Sequence, residues 1–414
     1  MFHASGIQEQ VETEHLVEFW QSGQLPVQAA AAPAFKTRGV RMSGQLIQCS
    51  NRLEIAAYGP DWERLASAQP QFVPSFTDIM HALATPDCDM RLVGWRVGGA
   101  VTALALFVVY KTVRRFWLGE KPVMKMPVLA AELFGGASVG YVEAPVAKAM
   151  LNSVMSDRSV DLLIFADVPQ SDSFYKVIAG GHWGGPASIS HHRTTRRLAH
   201  LPATMADYWA ELRPTTRKAG QRDLKMFEKL GPRYEVVTEP HQVADFLSRA
   251  AKLSDRTYQR KIDVGLLDTP AKRQHFERLA SEGRLRCYLA TVDGADVAFA
   301  WGDISHGVFY YRTTGYDPEF GRYSPGKAIL LAMIRDLIES GAAHTFDFSG
   351  RDTNAKERFS TSSIECANFL ATRWSRTRGI TAVWLDRAFN VPKTLAPRLL
   401  GNERMQKLRR ALRG

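Results

Sequence analysis

A chain of 414 residues with 45% hydrophobic content has the apolar material for a sizeable core, and at this length two domains are expected. Its net charge of +11 is concentrated at one end: from Arg373 onward eleven Lys/Arg face only Asp386 and Glu403, a net +9. The nearly neutral remainder argues against a nucleic-acid-binding surface spread over the fold, so no DNA partner is expected.

The four cysteines, Cys49, Cys88, Cys287 and Cys366, are scattered without ligand spacing, so neither a disulfide framework nor a metal site is expected. The opening "MFHASGIQEQVETEHLVEFW" has acidic residues where a secretion signal needs a basic start and an apolar core, so a cytoplasmic location is expected. "LPVQAAAAPAFK" reads as a linker ending a separate segment, 1–44. After the helical "DWERLASAQPQFVPSFTDIMHALA", the stretch "RLVGWRV-GG-AVTALALFVVYK" reads as two strands joined by a Gly-Gly turn. Its most apolar part, Val97–Tyr110, is shorter than the roughly 20 residues of a spanning helix.

The Gly-, Ser- and Thr-rich "GGHWGGPASISHHRTTRRLAHLPATMADYW" reads as the join between two domains, 45–200 and 201–385. His191 and His192 lie in it with no partner spaced for metal binding and read as structural. A Lys/Arg-rich helix follows ("YWAELRPTTRKAGQRDLKMFEKL"), then a strand ("RYEVVTE"), helices, and a second hairpin, "RCYLATV-DG-ADVAFAWGD". Val97, Gly99, Ala100 and Ala103 of the first hairpin recur as Val292, Gly294, Ala295 and Ala298, each 195 residues on. Matched hairpins with matched helical approaches favour two copies of one α/β unit.

The strand "HGVFYYRTTGY" then leads through the loop "DPEFGRY" to "SPGKAILLAMIRDLIESG" and a further strand, "HTFDFS". Ser324 reads as N-cap, Pro325 as the first helical residue, Gly341 as the left-handed stop, and Ile329, Leu330, Met333, Ile334 and Leu337 as the buried face. Gly326 stands in the first turn, where it costs roughly 1 kcal/mol relative to Ala. It serves either close helix–sheet packing or the approach of an anion to the helix amides. The final "NERMQKLRRALRG", within a basic tail 386–414, places Met405, Leu408 and Leu412 on one helical face. That pattern suits a peripheral membrane surface or an acidic partner, or a helix docked on its own domain.

From about Leu201 to Trp374 the chain resembles the GNAT-type BioF2-like acetyltransferase domain of proteins related to cellulose-biosynthesis acetyltransferases. The resemblance rests on "LPATMADYWAELRPTTRKAGQRDLKMFEKLG", "LRCYLATVDGADVAFAWGD", "YYRTTGYDPEFGRYSPGKAILLAMIRDLIESG" and "FDFSGRDTNAKERFS", the last supplying Asp347, Gly350, Asp352, Lys356 and Phe359. The first half resembles the companion GNAT-like half more weakly. The phosphate loop departs from the usual GNAT pattern, with "GRYSPGKA" as a degenerate stand-in. The resemblance implies an α/β (α+β) fold of two tandem GNAT-like domains, each a mixed twisted sheet flanked by helices. It implies an acyltransferase without a permanently bound cofactor, moving an acyl group from acyl-CoA (acetyl-CoA) to an amine or hydroxyl of a small-molecule or glycan acceptor, in polysaccharide or envelope biosynthesis.

Within that frame Ser324, Gly326 and Lys327 are the expected donor-phosphate residues. Asp347 is a candidate base or amine-binding carboxylate, or a structural cap of "SGRDTN". Tyr310 or Tyr311 offers a proton to the leaving thiolate, with Tyr311 the choice and strand alternation turning the other away. Lys356, Arg217 and Arg222 are candidates for an anionic substrate group. With no Ser-His-Asp or Cys-His pattern, direct attack in a ternary complex is expected. Two alternatives stay open: a Fem-like aminoacyl transferase using charged tRNA, and a non-catalytic accessory module of a membrane-bound synthase.

Overall fold

The computed structural model describes residues 44–68, 73–83, 89–118, 121–180, 183, 187–256, 265–350 and 354–389. The expectations for the N-terminal segment, for Asp352 and for the tail beyond 389 therefore lie outside the described residues.

Both hairpins fold as the sequence indicates. Numbering strands along the chain, β2 (Asp89–Val97) turns into β3 (Ala100–Leu118) through Gly98 and Gly99, with φ of +55° and +86°. β9 (Leu285–Val292) turns into β10 (Ala295–Ser305) through Asp293 and Gly294, with φ of +50° and +80°. Two successive positive φ values make the type I′ turn that matches strand twist. Each second strand then bulges at one residue, Thr102 in the first and Val297 in the second, again 195 apart.

The chain divides into two units. Among the described residues, the first holds 44–194 and 365–389 and the second 195–364. In the first, the strand order is β1 (Gln45–Cys49), β2, β3, β4 (Lys121–Leu133), β6 (Leu162–Pro169) and β13 (Ser362–Arg373), with β5 (Val139–Gly140) beside β3. All neighbours are antiparallel except β4 and β6, which run parallel on either side of the Ala144–Val154 helix. In the second, the order is β8 (Arg233–Val237), β9, β10, β11 (Val308–Tyr316), β12 (Thr345–Asp347) and β7 (Ala187–His200). Here β11 and β12 are the parallel pair, on either side of the Pro325–Ser340 helix. Both units are mixed α/β sheets flanked by helices. Among the described residues no helix is long and apolar enough to cross a membrane.

Three differences from the sequence reading have physical causes. The stretch read as a join contains β7, whose residues from Thr195 on belong to the second unit, and residues from Glu365 on, read with the second domain to 385, belong to the first. Each sheet is thus closed by a strand from the other half of the sequence, a long-range pairing that local pattern does not register. The Lys/Arg-rich helix is two helices, Met205–Glu211 and Pro214–Glu228, because a residue before proline is pushed out of helical geometry; Arg213 has ψ of +139°. Asp386, read as the start of the tail, lies buried within a helix over 377–389 that packs on the first unit.

The Pro325–Ser340 helix buries the face its spacing indicates. Ile329, Leu330, Met333, Ile334 and Leu337 enter one cluster with Tyr288, Phe309, Phe346 and Phe359. At about 2 kcal/mol per buried side chain, this face holds the helix on the sheet despite its weak glycine start. Gly341 ends it with φ of +62°.

Candidate active site

β11 and β12 pair only over three positions, Val308↔Thr345, Phe309↔Phe346 and Tyr310↔Asp347. Beyond them β11 runs on to Tyr316, while the chain after β12 turns toward β7, the Phe348 N–H donating to the Arg197 carbonyl at 3.1 Å. The parallel strands part at Tyr310. β11 then enters the Pro318–Tyr323 3-10 turn, capped by Asp317 accepting from the Glu319 N–H at 3.0 Å, and so delivers the start of the Pro325–Ser340 helix.

That start is built differently from the expectation. Ser324 is left-handed, φ +58°, and its hydroxyl caps nothing in the helix. Its carbonyl accepts instead from the N–H groups of Lys327 (3.0 Å) and Ala328 (3.1 Å). Pro325 has no N–H, so among the described residues the Gly326 amide alone in the first turn has no partner inside it. No acidic residue stands in the turn, so the positive dipole end is not neutralised locally. Both readings of Gly326 have physical content: a Cβ there would lie 3.2 Å from the Tyr316 ring, so the glycine also lets that ring pack. The Lys327 ammonium is committed elsewhere, donating to Asp223 Oδ2 at 2.6 Å and tying the helix start to the Pro214–Glu228 helix.

Asp347, only 1% exposed, has both oxygens engaged. Oδ2 accepts from Arg196 Nε at 2.7 Å, and Oδ1 accepts from the Ser349 N–H at 2.7 Å. The cap of the turn was one of its two sequence readings; the buried ion pair with Arg196 was not foreseen. These bonds fix the carboxylate in place. Tyr310 and Tyr311 alternate as expected. Tyr311 packs in the apolar cluster, its ring 5.8 Å from Phe346. Tyr310 faces the charges: the Arg196 and Arg312 guanidinium carbons lie 5.9 and 5.2 Å from its ring centre. Burial, aided by Asp347 and Asp303 and opposed by the two arginines, pushes its hydroxyl up to about 12. Arg312 is in turn paired with buried Asp303 at 2.5 Å.

The remaining candidates do not converge on the parted strands. Lys356 donates from Nζ to the Ser349 carbonyl, bracing the turn. Arg222 is largely exposed, 3.7 Å from Asp223, and Arg217 is half-exposed on the same helix. Phe359 is a core residue whose carbonyl accepts from the Tyr208 hydroxyl at 2.8 Å. His191 stacks on Phe369 at 4.8 Å, and His192 Nε2 lies 2.7 Å from Asp386. A depression of about 330 Å³ lined by Leu201, Gly307, Gly341 and His344 lies at the opposite, C-terminal end of the Pro325–Ser340 helix. Ser349 escaped the sequence reading: it is left-handed at φ +44°, and its buried hydroxyl has no hydrogen-bond partner among the described residues. "SG" one residue after a Phe-Asp strand was the one available signal.

Residues 214–357 match the family model described as an acetyltransferase (GNAT) domain. No curated protein matches the chain. Among solved structures, FemX is similar at 12% identity and TM-score 0.44, over 67% of this chain and 88% of that one. L-PGS from Bacillus licheniformis is similar at 14% and 0.45, over 73% and 89%. A tandem GNAT protein from the clavulanic acid biosynthesis pathway is similar at 13% and 0.46, over 79% and 98%. The parted strands and the open helix start lie within the segment 214–357 that matches the GNAT acetyltransferase domain, about a third of the chain.

Proposed function

We propose that the second unit takes an acyl group from acyl-CoA and passes it to an amine or hydroxyl of a small-molecule or glycan acceptor. One observation carries this reading. The helix that follows the parallel strand in the first unit, Ala144–Val154, has Glu143 before it and Pro145 as its second residue. Its counterpart in the second unit has Ser324 and Gly326. Each start lacks one N–H, at Pro145 and at Pro325. The glutamate before the first helix disfavours a phosphate there, while the second has no acid in its first turn and an open Gly326 amide. Donor pyrophosphate is assigned to the Gly326 amide and the positive helix end, with Lys327 acting through its pair with Asp223.

In the transfer, the acceptor nitrogen or oxygen bonds to the thioester carbonyl carbon and the C–S bond breaks. The acceptor loses its proton to solvent and the thiolate gains one. Tyr310, protonated at neutral pH, is assigned to the thiolate in place of Tyr311, whose ring is held in the apolar cluster. Asp347 positions Arg196 behind Tyr310. Envelope or polysaccharide acceptors fit this chemistry.

Calorimetric titration with acetyl-CoA and longer acyl-CoAs tests the reading. The parent should bind, and Gly326→Asp should weaken binding about tenfold or more through charge at the helix start, where an acidic residue leaves the helix itself stable. Gly326→Ala, which adds only the contact with Tyr316, should bind nearly as the parent. Equal affinity in Gly326→Asp would remove the donor from this helix. Binding of charged tRNA without binding of acyl-CoA would establish the Fem-like alternative, and binding of neither the accessory one.

A further inference from the structure

β3 and β4 outrun the sheet that holds them. Among the described residues β2 pairs with β3 only as far as Val109, and β6 pairs with β4 only from Ala130 to Glu132. From Tyr110 to Leu118 and from Lys121 to Leu129 the two strands pair with each other, as a two-stranded arm. The 377–389 helix covers one face: the Phe389 ring is 6.0 Å from Phe116, and Ala382 and Val383 cluster with Val128.

The other face is exposed and carries Lys111, Val113 and Arg115 from β3 with Lys125 and Pro127 from β4. Arg115 stands directly opposite Lys125, and Val113 opposite Pro127. Nearer the turn, Val123, the bulged residue, is 50% exposed, Met124, opposite Phe116 at the edge of the covered face, is 44% exposed, and Val113 is 48% exposed. From 110 to 128 the sequence holds five Lys/Arg against Glu120 alone. In water this arrangement costs stability, because like charges directly opposite repel and exposed aliphatics gain nothing.

An anionic bilayer relieves both costs, with aliphatic groups in the interfacial layer and cations at the lipid phosphates. A nucleic acid would satisfy the cations only, since Val123 and Met124 offer neither hydrogen bonds nor a flat face for a base. The helix on the arm's covered side adds Trp384, 54% exposed, with the Arg387 guanidinium 5.6 Å from its ring centre. Tryptophan beside a cation suits a membrane–water boundary. Beyond that helix the sequence from 390 on holds seven Lys/Arg against Glu403.

We infer that the β3–β4 arm docks the first unit on an anionic lipid surface, Val123 and Met124 entering the interface and Lys111, Arg115 and Lys125 meeting lipid phosphates. This holds independently of the acyl donor. The full chain is mixed with phosphatidylcholine vesicles with and without phosphatidylglycerol, and sedimentation measures the bound fraction. Binding should require phosphatidylglycerol, persist in excess inorganic phosphate and weaken with added salt. Val123→Asp/Met124→Asp and Arg115→Ala/Lys125→Ala should each weaken it about tenfold or more, with thermal midpoints unchanged because all four positions are exposed. The proposal is overturned if the parent ignores phosphatidylglycerol vesicles, or if the aspartate variant binds them as the parent does, which would leave the work to the tail. It is equally overturned if the arm variants abolish binding to an RNA homopolymer while vesicle binding is unaffected.

Discussion

The two units share a plan down to single residues and differ at the places where chemistry is assigned. Each has a hairpin with a type I′ turn and one bulge, a third antiparallel strand, a helix, and a strand parallel to the third. Each helix start is closed by the carbonyl before it: Glu143 accepts from Val146 and Ala147, Ser324 from Lys327 and Ala328. A proline stands in the first turn of both, Pro145 and Pro325, but in the first unit a glutamate precedes the helix. In the second, an open glycine amide stands beyond a strand whose Tyr310 is set between two arginines. The duplicated backbone explains the core of both units. The function must come from the few positions that break the duplication.

The largest effect is expected where the second unit buries charge. Asp347 and Arg196 are both largely buried, at 1% and 13% side-chain exposure. Asp347→Ala takes the carboxylate away from the buried guanidinium and should cost about 3 kcal/mol of unfolding free energy, measured by urea titration. Asp347→Leu/Arg196→Met should recover most of that loss, since replacing both partners by apolar groups is often neutral. If Asp347 were instead an essential base at little structural cost, Asp347→Ala would unfold like the parent and only turnover would fall.

A smaller effect separates direct from indirect action at the helix start. Lys327→Met leaves Asp223, itself buried, without its ammonium, and should cost about 2 kcal/mol while placing a bare carboxylate near the donor end. Donor affinity should fall with it. Adding Asp223→Asn should restore affinity, because the native pair is neutral overall. If affinity stays low in the double variant, Lys327 reaches the phosphate itself.

How far the sequence went follows the same division. The hairpins, the helix face from Ile329 to Leu337 and the Gly341 stop were legible because each is fixed by local chemistry: turn glycines, helical spacing and a left-handed stop. The exchange of β7 and β13 between the halves was not, since strand pairing across some 200 residues leaves no local trace. Asp347 illustrates the middle case. Its place at a strand end was readable, but its partner Arg196 lies 151 residues away in a stretch read as the join between the domains. Ser324 was misread for a different reason: its type suits an N-cap, while the 3-10 turn before it forces φ to +58° and points the hydroxyl away from the first turn.

The acid limb of stability should belong to the first unit. Arg91 on β2 bonds Asp157, whereas Arg286, its counterpart 195 residues on, forms no salt bridge among the described residues. Burial alone would raise the Asp157 carboxyl, but Ser159 and Arg91 outweigh it and lower it to about 2. A folded-state value below the unfolded one means that this stabilisation is complete above about pH 4 and is lost as pH falls toward 2. It should amount to about 1 kcal/mol once solvent screening is allowed for. Asp157→Asn should flatten the stability profile between those limits, read from urea midpoints at successive pH values. An unchanged profile would place the acid sensitivity elsewhere.

The finest test asks whether the two hairpins are energetically as well as geometrically equivalent. Gly99 and Gly294 hold φ of +86° and +80°, and a Cβ at either would meet nothing within 4 Å. An alanine there suffers only left-handed backbone strain, about 1 kcal/mol, with no packing change to confuse it. Gly99→Ala and Gly294→Ala should therefore destabilise by amounts within about 0.5 kcal/mol of each other, and the double variant should show their sum. Urea unfolding gives all three values. Because each turn lies in a different unit, the test also reads cooperativity: if the units unfold separately, each variant shifts one transition and leaves the other in place. A cost several times larger at one glycine would show that its turn bears on something beyond the hairpin. The equivalence drawn from φ values and bulges would then end at the backbone.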